Sequence, residues 1–116
     1  MIRCYSAAGF TLLLLACQNQ PPADITDPGQ LLFLGYAKDG VNCSRCHGPD
    51  GQGGQDAPAL LDIFMKYDEQ KVREIILEGK GLGKKSMPAF AEKLTPEELE
   101  ALIKFLKNAF PPPQTK

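Results

Sequence analysis

Tryptophan is absent from this 116-residue chain, histidine occurs once, and aromatic residues make up only 8%. So few aromatics give a modest core, part of which an apolar cofactor can usefully fill. A single histidine excludes any site built from two or more imidazoles of this chain. Neither sign of charge is in surplus: 13 basic against 14 acidic side chains give −1, with a pI near 5.8. That balance argues against a nucleic-acid partner, since phosphate binding needs an excess of Lys and Arg. No apolar run reaches the about 20 residues that a membrane-spanning helix takes. At 43% hydrophobic and 23% charged, the composition is globular, and the length suits one domain.

What is present begins with an export signal, read at residues 1–16. Arg3 gives a positive start, Ala7 to Ala16 is mostly apolar, and the stretch ends Leu14-Leu15-Ala16-Cys17. Leu-Leu-Ala-Cys resembles the lipobox of bacterial lipoproteins, which implies cleavage before Cys17 and lipid on its thiol and new amine. Two kinds of acyl linkage together give stable membrane anchoring, where one chain is marginal. The alternative is ordinary cleavage that leaves Cys17 as a free thiol. Cleavage at this point removes Cys4 and Arg3, and the mature chain runs from Cys17 to Lys116 with a charge of −2. Residues 17–28 then form a lipidated terminus and a polar, proline-containing tether. The domain itself occupies 29–110, and 111–116 is a Pro-rich tail.

The domain reads as all-α. Gly29 to about Ala37 predicts a short helix, and Asn42 to His47 a helical turn. Asp68 is a natural N-cap for a helix carrying Val72, Ile75 and Ile76 on one face, ended by Gly79. Thr95-Pro96-Glu97-Glu98 is a capping box with proline at the first helical position. Behind it Leu99, Leu102, Ile103, Leu106 and Phe110 make one apolar stripe, and Glu100 is placed to pair with Lys104. Glycine-rich stretches at 48–57 and 79–87 predict loops.

Cys43-Ser44-Arg45-Cys46-His47 is C-x-x-C-H, the attachment sequence of c-type haem. On a helical turn, residues i, i+3 and i+4 project from one side, so two thiols and an imidazole face one flat ligand. A thioredoxin-like redox pair needs an α/β pattern that the chain does not offer. Zinc needs two further ligands, and no Cys or His remains for it once Cys17 is assigned. A disulfide across so short a loop is poor in geometry. For the other side of an iron the side-chain candidates are Met65, Met87 or a lysine, unless that side stays open. Met65 lies in an apolar patch with Leu60, Leu61, Ile63 and Phe64 that reads as core. Met87 has glycine, lysine, serine and proline around it, and a soft thioether there suits ferrous iron.

From about Gly29 to Ala109 the chain resembles the small monohaem cytochromes c of class I. The resemblance is carried by C-S-R-C-H-G at 43–48, Ala-Pro-Ala-Leu at 57–60, Met87-Pro88-Ala89-Phe90, and Leu-Thr-Pro-Glu-Glu at 94–98. It implies a cytochrome c fold of about three to five short helices around one covalent haem c, with the terminal helices packed together. It also implies that Cys43 and Cys46 are the thioether positions, His47 the proximal ligand and Met87 the distal one. Pro58 matches the proline whose carbonyl accepts a hydrogen bond from the proximal imidazole. Leu102 and Phe105 match the pair that packs against the first helix, opposite Gly29 and Phe33. Ten positions from Phe33 to Cys43 are more than many members have, so Gly29 and Gly35 both remain candidates for the close-packing glycine.

The function that follows is electron transfer rather than enzymatic catalysis, with no small-molecule substrate. Expected partners are a redox protein donor and acceptor and, through Cys17, the membrane of a bacterial cell envelope, facing the periplasm or the exterior. Lys80, Lys84, Lys85 and Lys93 around Met87 can steer an acidic-surfaced partner. Two alternatives stand beside this: a fixed relay subunit in a dehydrogenase or reductase complex, and a five-coordinate haem acting as gas sensor or peroxidase.

Overall fold

A computed structural model describes residues 20–55, 57–81 and 86–113. The segment read as an export signal, Cys17, Lys84 and Lys85 lie outside the described residues. Among the described residues five helices follow one another: α1 (Pro28–Leu34), α2 (Ser44–His47), α3 (Ile63–Lys66), α4 (Glu69–Glu78) and α5 (Pro96–Ala109). Among the described residues there is no strand, only one antiparallel bridge between Lys80 and Met87, and no helix long and apolar enough to cross a membrane.

Local chemistry sets most of the boundaries. Asp27 caps α1, its carboxylate accepting from Gln30 N–H at 2.9 Å, and Pro28 takes the first helical position. The helix stops at Leu34 rather than running to Ala37, because Gly35 turns left-handed at φ +88° and its N–H folds back on the carbonyls of Leu31 and Leu32. Asp68 caps α4 through Lys71 N–H, and Gly79 ends it. The capping box at Thr95 and Glu98 forms in full at the start of α5.

The core sits where α1 crosses α5. Phe33 and Leu102 are each 1% exposed, and the Phe33 ring lies 5.4 Å from Phe105 and 6.5 Å from Phe110. Gly29, not Gly35, is the close-packing glycine: a Cβ there would fall 2.1 Å from the Ala101 carbonyl oxygen. Val72 and Ile76 of α4 extend the core with Phe64, Phe90, Leu94 and Leu99.

Ion pairs fasten α4 to α5 at the surface. Arg73 donates to Glu69 at 2.8 Å and to Glu100 at 3.0 Å, and Lys107 reaches Glu69 at 2.8 Å. Glu100 therefore pairs across helices with Arg73, not along its own helix with Lys104, because the guanidinium fork offers two bonds where a lysine offers a point contact.

One element and two burials run against the sequence reading. A single turn, α3, forms at Ile63–Lys66, and it aims Phe64 inward while leaving Met65 71% exposed. The reading of Met65 as core is corrected by that turn: adjacent helical residues point about 100° apart, so only one of the two reaches the interior. Leu61 is likewise 61% exposed.

Candidate functional site

The turn α2 brings Cys43, Cys46 and His47 together. Cys43 O accepts from His47 N–H at 3.0 Å and from Cys46 N–H at 3.3 Å, and Gly48 N–H closes on Ser44 O at 2.8 Å. Both thiols are free. Cys46 is exposed and Cys43 half-buried against the core. Burial, with the neighbouring Cys46 adding to it and a backbone hydrogen bond opposing, pushes the Cys43 thiol up to about 11.

His47 is buried, 9% exposed, and its Nδ1 lies 2.9 Å from the Pro58 carbonyl oxygen. A carbonyl only accepts, so Nδ1 carries the proton and donates, which places the lone pair of the neutral ring on Nε2. Backbone bonds hold the loop between them, beginning with Gly51 N–H on Gly48 O at 3.1 Å. Gly53 N–H reaches His47 O at 2.7 Å, Leu60 N–H reaches Gly51 O at 2.7 Å, and Gly54 N–H reaches Ala57 O at 2.9 Å. Gly53 makes this close return possible: its φ is +84°, and a Cβ there would lie 2.6 Å from Ala59 N and 2.9 Å from the Pro58 carbonyl carbon. Sequence reasoning identifies Pro58 but not Gly53, which is one of four glycines between 48 and 54 with nothing local to distinguish it.

Met87 is half-buried against the same core as Cys43, Leu60, Tyr67 and Leu77. Two backbone bonds, Lys80 N–H to Met87 O at 3.0 Å and Met87 N–H to Lys80 O at 2.6 Å, fix its position. The segment after it is pinned to the end of α4 by Phe90 N–H on Ile76 O and Ala91 N–H on Leu77 O. The Lys80 ammonium bonds the Tyr67 hydroxyl and stands 4.4 Å from the ring centroid. That hydrogen bond, with the charge of Lys80 behind it, lowers the Tyr67 phenol below the usual tyrosine range. Lys93 lies over the Phe90 ring at 5.6 Å.

The donors on these elements are two thiols, one imidazole nitrogen with a free lone pair, and one thioether. Soft sulfur and imidazole suit iron, and thiols spaced on one turn suit covalent capture of a flat macrocycle with reactive vinyl groups. Among the described residues no group of three or more His, Cys, Asp or Glu side chains gathers to hold a bare metal ion.

Comparison with known proteins points the same way. The family model described as cytochrome c oxidase, cbb3-type, subunit III matches residues 34–106. The chain is 42% identical over 66 residues to the menaquinol:cytochrome c reductase cytochrome c subunit of Bacillus subtilis (strain 168), a match covering 57% of this chain and 24% of that protein. It is 37% identical over 81 residues to cytochrome c-551 of the same organism, covering 63% of this chain and 70% of the relative. Among solved structures, KustC0563 c-type cytochrome superposes with a TM-score of 0.54 at 32% identity, covering 70% of this chain and 95% of that one. Thus the chain spans about a quarter of the reductase subunit but most of the small cytochrome. It belongs to the c-type cytochromes, in the family described as cytochrome c oxidase, cbb3-type, subunit III, with covalent haem c and its iron as cofactor.

Proposed function

We propose that this chain is an exported, lipid-anchored monohaem cytochrome that carries single electrons between redox proteins of the cell envelope. Cys43 and Cys46 would hold the haem covalently through their sulfurs as thioethers. His47 Nε2 and the Met87 sulfur would hold the haem iron. When bound, the haem supplies reversible one-electron chemistry at iron. The observation that carries this reading is the buried His47 ring, held by Pro58 so that its lone pair sits on Nε2, beside two free thiols on one turn.

The other residues serve retention and orientation. Pro58 fixes the imidazole tautomer and its orientation. The Lys80–Met87 bridge fixes the backbone from which the thioether would reach the iron. Cys17 carries the lipid and the residues after it form the tether. That tether ends before Asp27 and not at 28, because Asp27 caps α1 and Pro28 opens it; the haem domain runs from there to 110. Lys80 and Lys93, together with Lys84 and Lys85, favour an acidic partner surface.

A second reading is supported by the relative named as a reductase cytochrome c subunit: the same haem domain serving as a fixed relay within a complex. The Met87→Ala variant tests the ligand set common to both. The wild type is expected to be low-spin in both oxidation states and the variant high-spin; a low-spin variant overturns Met87 as ligand. Peptide mass then reads haem on the segment containing Cys43 and Cys46.

A further inference from the structure

Cys43 has helical dihedrals, φ −68° and ψ −35°, and its carbonyl accepts from His47 N–H at 3.0 Å. The attachment turn therefore starts at Cys43, and the residue that caps it is Asn42. Its Oδ1 accepts from Arg45 N–H at 3.1 Å, three residues on, which is the N-cap geometry, and from Ser44 Oγ at 2.7 Å. The Cys43 side chain makes no cap bond of its own.

So short a helix cannot sustain itself, because the first turn fixes several residues for very few bonds. A cap is then a large share of what keeps it wound. Asn42 is in turn held from behind. Gly35, the left-handed residue that ends α1, leaves a notch that the Asn42 side chain fills: a Cβ on Gly35 would lie 2.5 Å from Asn42 Cγ and Nδ2. Val41 beside it is 1% exposed. The ten-position step from Phe33 to Cys43 is thereby anchored at both ends.

We infer that Asn42 is a positioning residue for the haem: it winds the turn so that Cys43, Cys46 and His47 face one side, and it ties that turn to the end of α1. This rests on the proposed roles of those three residues. Without the cap the first peptide of the turn is free to unwind, and Cys43 departs from the register that i, i+3 and i+4 spacing requires.

The test uses the full chain loaded with haem in a cytochrome c maturation host, as wild type, Asn42→Ala and Asn42→Asp. Three quantities are read: thioether content by peptide mass, hydrogen exchange at the Arg45 amide, and the haem-methyl NMR shifts of the ferric protein, which follow imidazole orientation. Asn42→Ala is expected to speed Arg45 exchange about five-fold, the size of a lost N-cap, and to change the methyl pattern. Asn42→Asp keeps an accepting oxygen, with a charge that suits a helix N-terminus, and is expected to match the wild type in both. Wild-type exchange and shifts in Asn42→Ala overturn the inference, as does an Asn42→Asp protein that behaves like Asn42→Ala. Should Asn42→Ala fail to accumulate, wild-type loading of Asn42→Asp supports the role and failure of both variants overturns it. A wild type without thioethers at Cys43 and Cys46 overturns the proposed attachment itself and the positioning role with it, and peptide mass identifies that case separately.

Discussion

The Nδ1 of His47 donates to the carbonyl oxygen of Pro58 across 2.9 Å, and Gly53 is the residue that lets the chain return closely enough for this bond to form. Replacing Gly53 by Ala puts a methyl group against Ala59 N and the Pro58 carbonyl carbon at a left-handed φ. A cost of about 1–3 kcal/mol is expected from strain of this kind, read by denaturant unfolding. The Pro58 carbonyl is displaced with it, its hydrogen bond to Nδ1 weakens, the imidazole gives less electron density to iron, and the ferric state loses some stabilisation. The reduction potential of Gly53→Ala is therefore expected to rise, measured by redox titration; a fall contradicts the role given to this bond.

Gly29→Ala tests the helix crossing. The new Cβ meets the backbone carbonyl of Ala101 and the Cβ of Phe105, neither of which is the end of a flexible side chain. Separation of α1 from α5 is the only relief, and overpacking of a fitted core costs about 1–3 kcal/mol. The unfolding midpoint in denaturant should fall accordingly. At Gly40, where the nearest atoms to an added methyl group would be those of the Lys93 side chain at 3.7 Å, the same substitution carries only the cost of its left-handed φ.

Acid stability should report the α4–α5 ion pairs. The carboxyls of Glu69 and Glu100 lie below the usual range, Glu69 chiefly through Lys107 and then Arg73, Glu100 through Arg73. Lowered folded-state values mean that their contribution is present above about pH 4.3, the ordinary glutamate value, and is lost as pH falls through the lower folded values. Arg73→Gln is expected to flatten that acid-side loss relative to wild type, as is high salt, since these side chains are exposed and screened. An unchanged difference between the two proteins across the acid limb would contradict it.

Cys17→Ser tests the anchor. In a bacterial host the wild type is expected in the membrane fraction and the variant in the soluble one, both carrying haem; retention of the variant in membranes rules out lipid on Cys17 as the attachment.

Features that local chemistry decides are legible in the sequence. Asp68 with Gly79, and Thr95 with Glu98, announce α4 and α5 because a cap needs only residues three or four positions apart. The C-x-x-C-H turn is readable for the same reason. The turn α3 is not, since Asp62 makes no side-chain cap and the turn rests on Phe64 finding the core. Local spacing gives Glu100 the wrong partner because Arg73 is 27 residues away in the chain and adjacent only after folding. The choice between Gly29 and Gly35 likewise depends on the crossing with α5. Asn42 is visible as part of a helical turn, but its role as cap needs the dihedrals of Cys43 to show where that turn begins.

The paired bonds between Lys80 and Met87 have a consequence for exchanges at the methionine. Both bonds run through the backbone, so they do not depend on which side chain stands at position 87. An exchange there removes the thioether and leaves the path of the chain in place. Whatever changes in a Met87 variant is therefore owed to the lost sulfur and not to a displaced stretch of backbone.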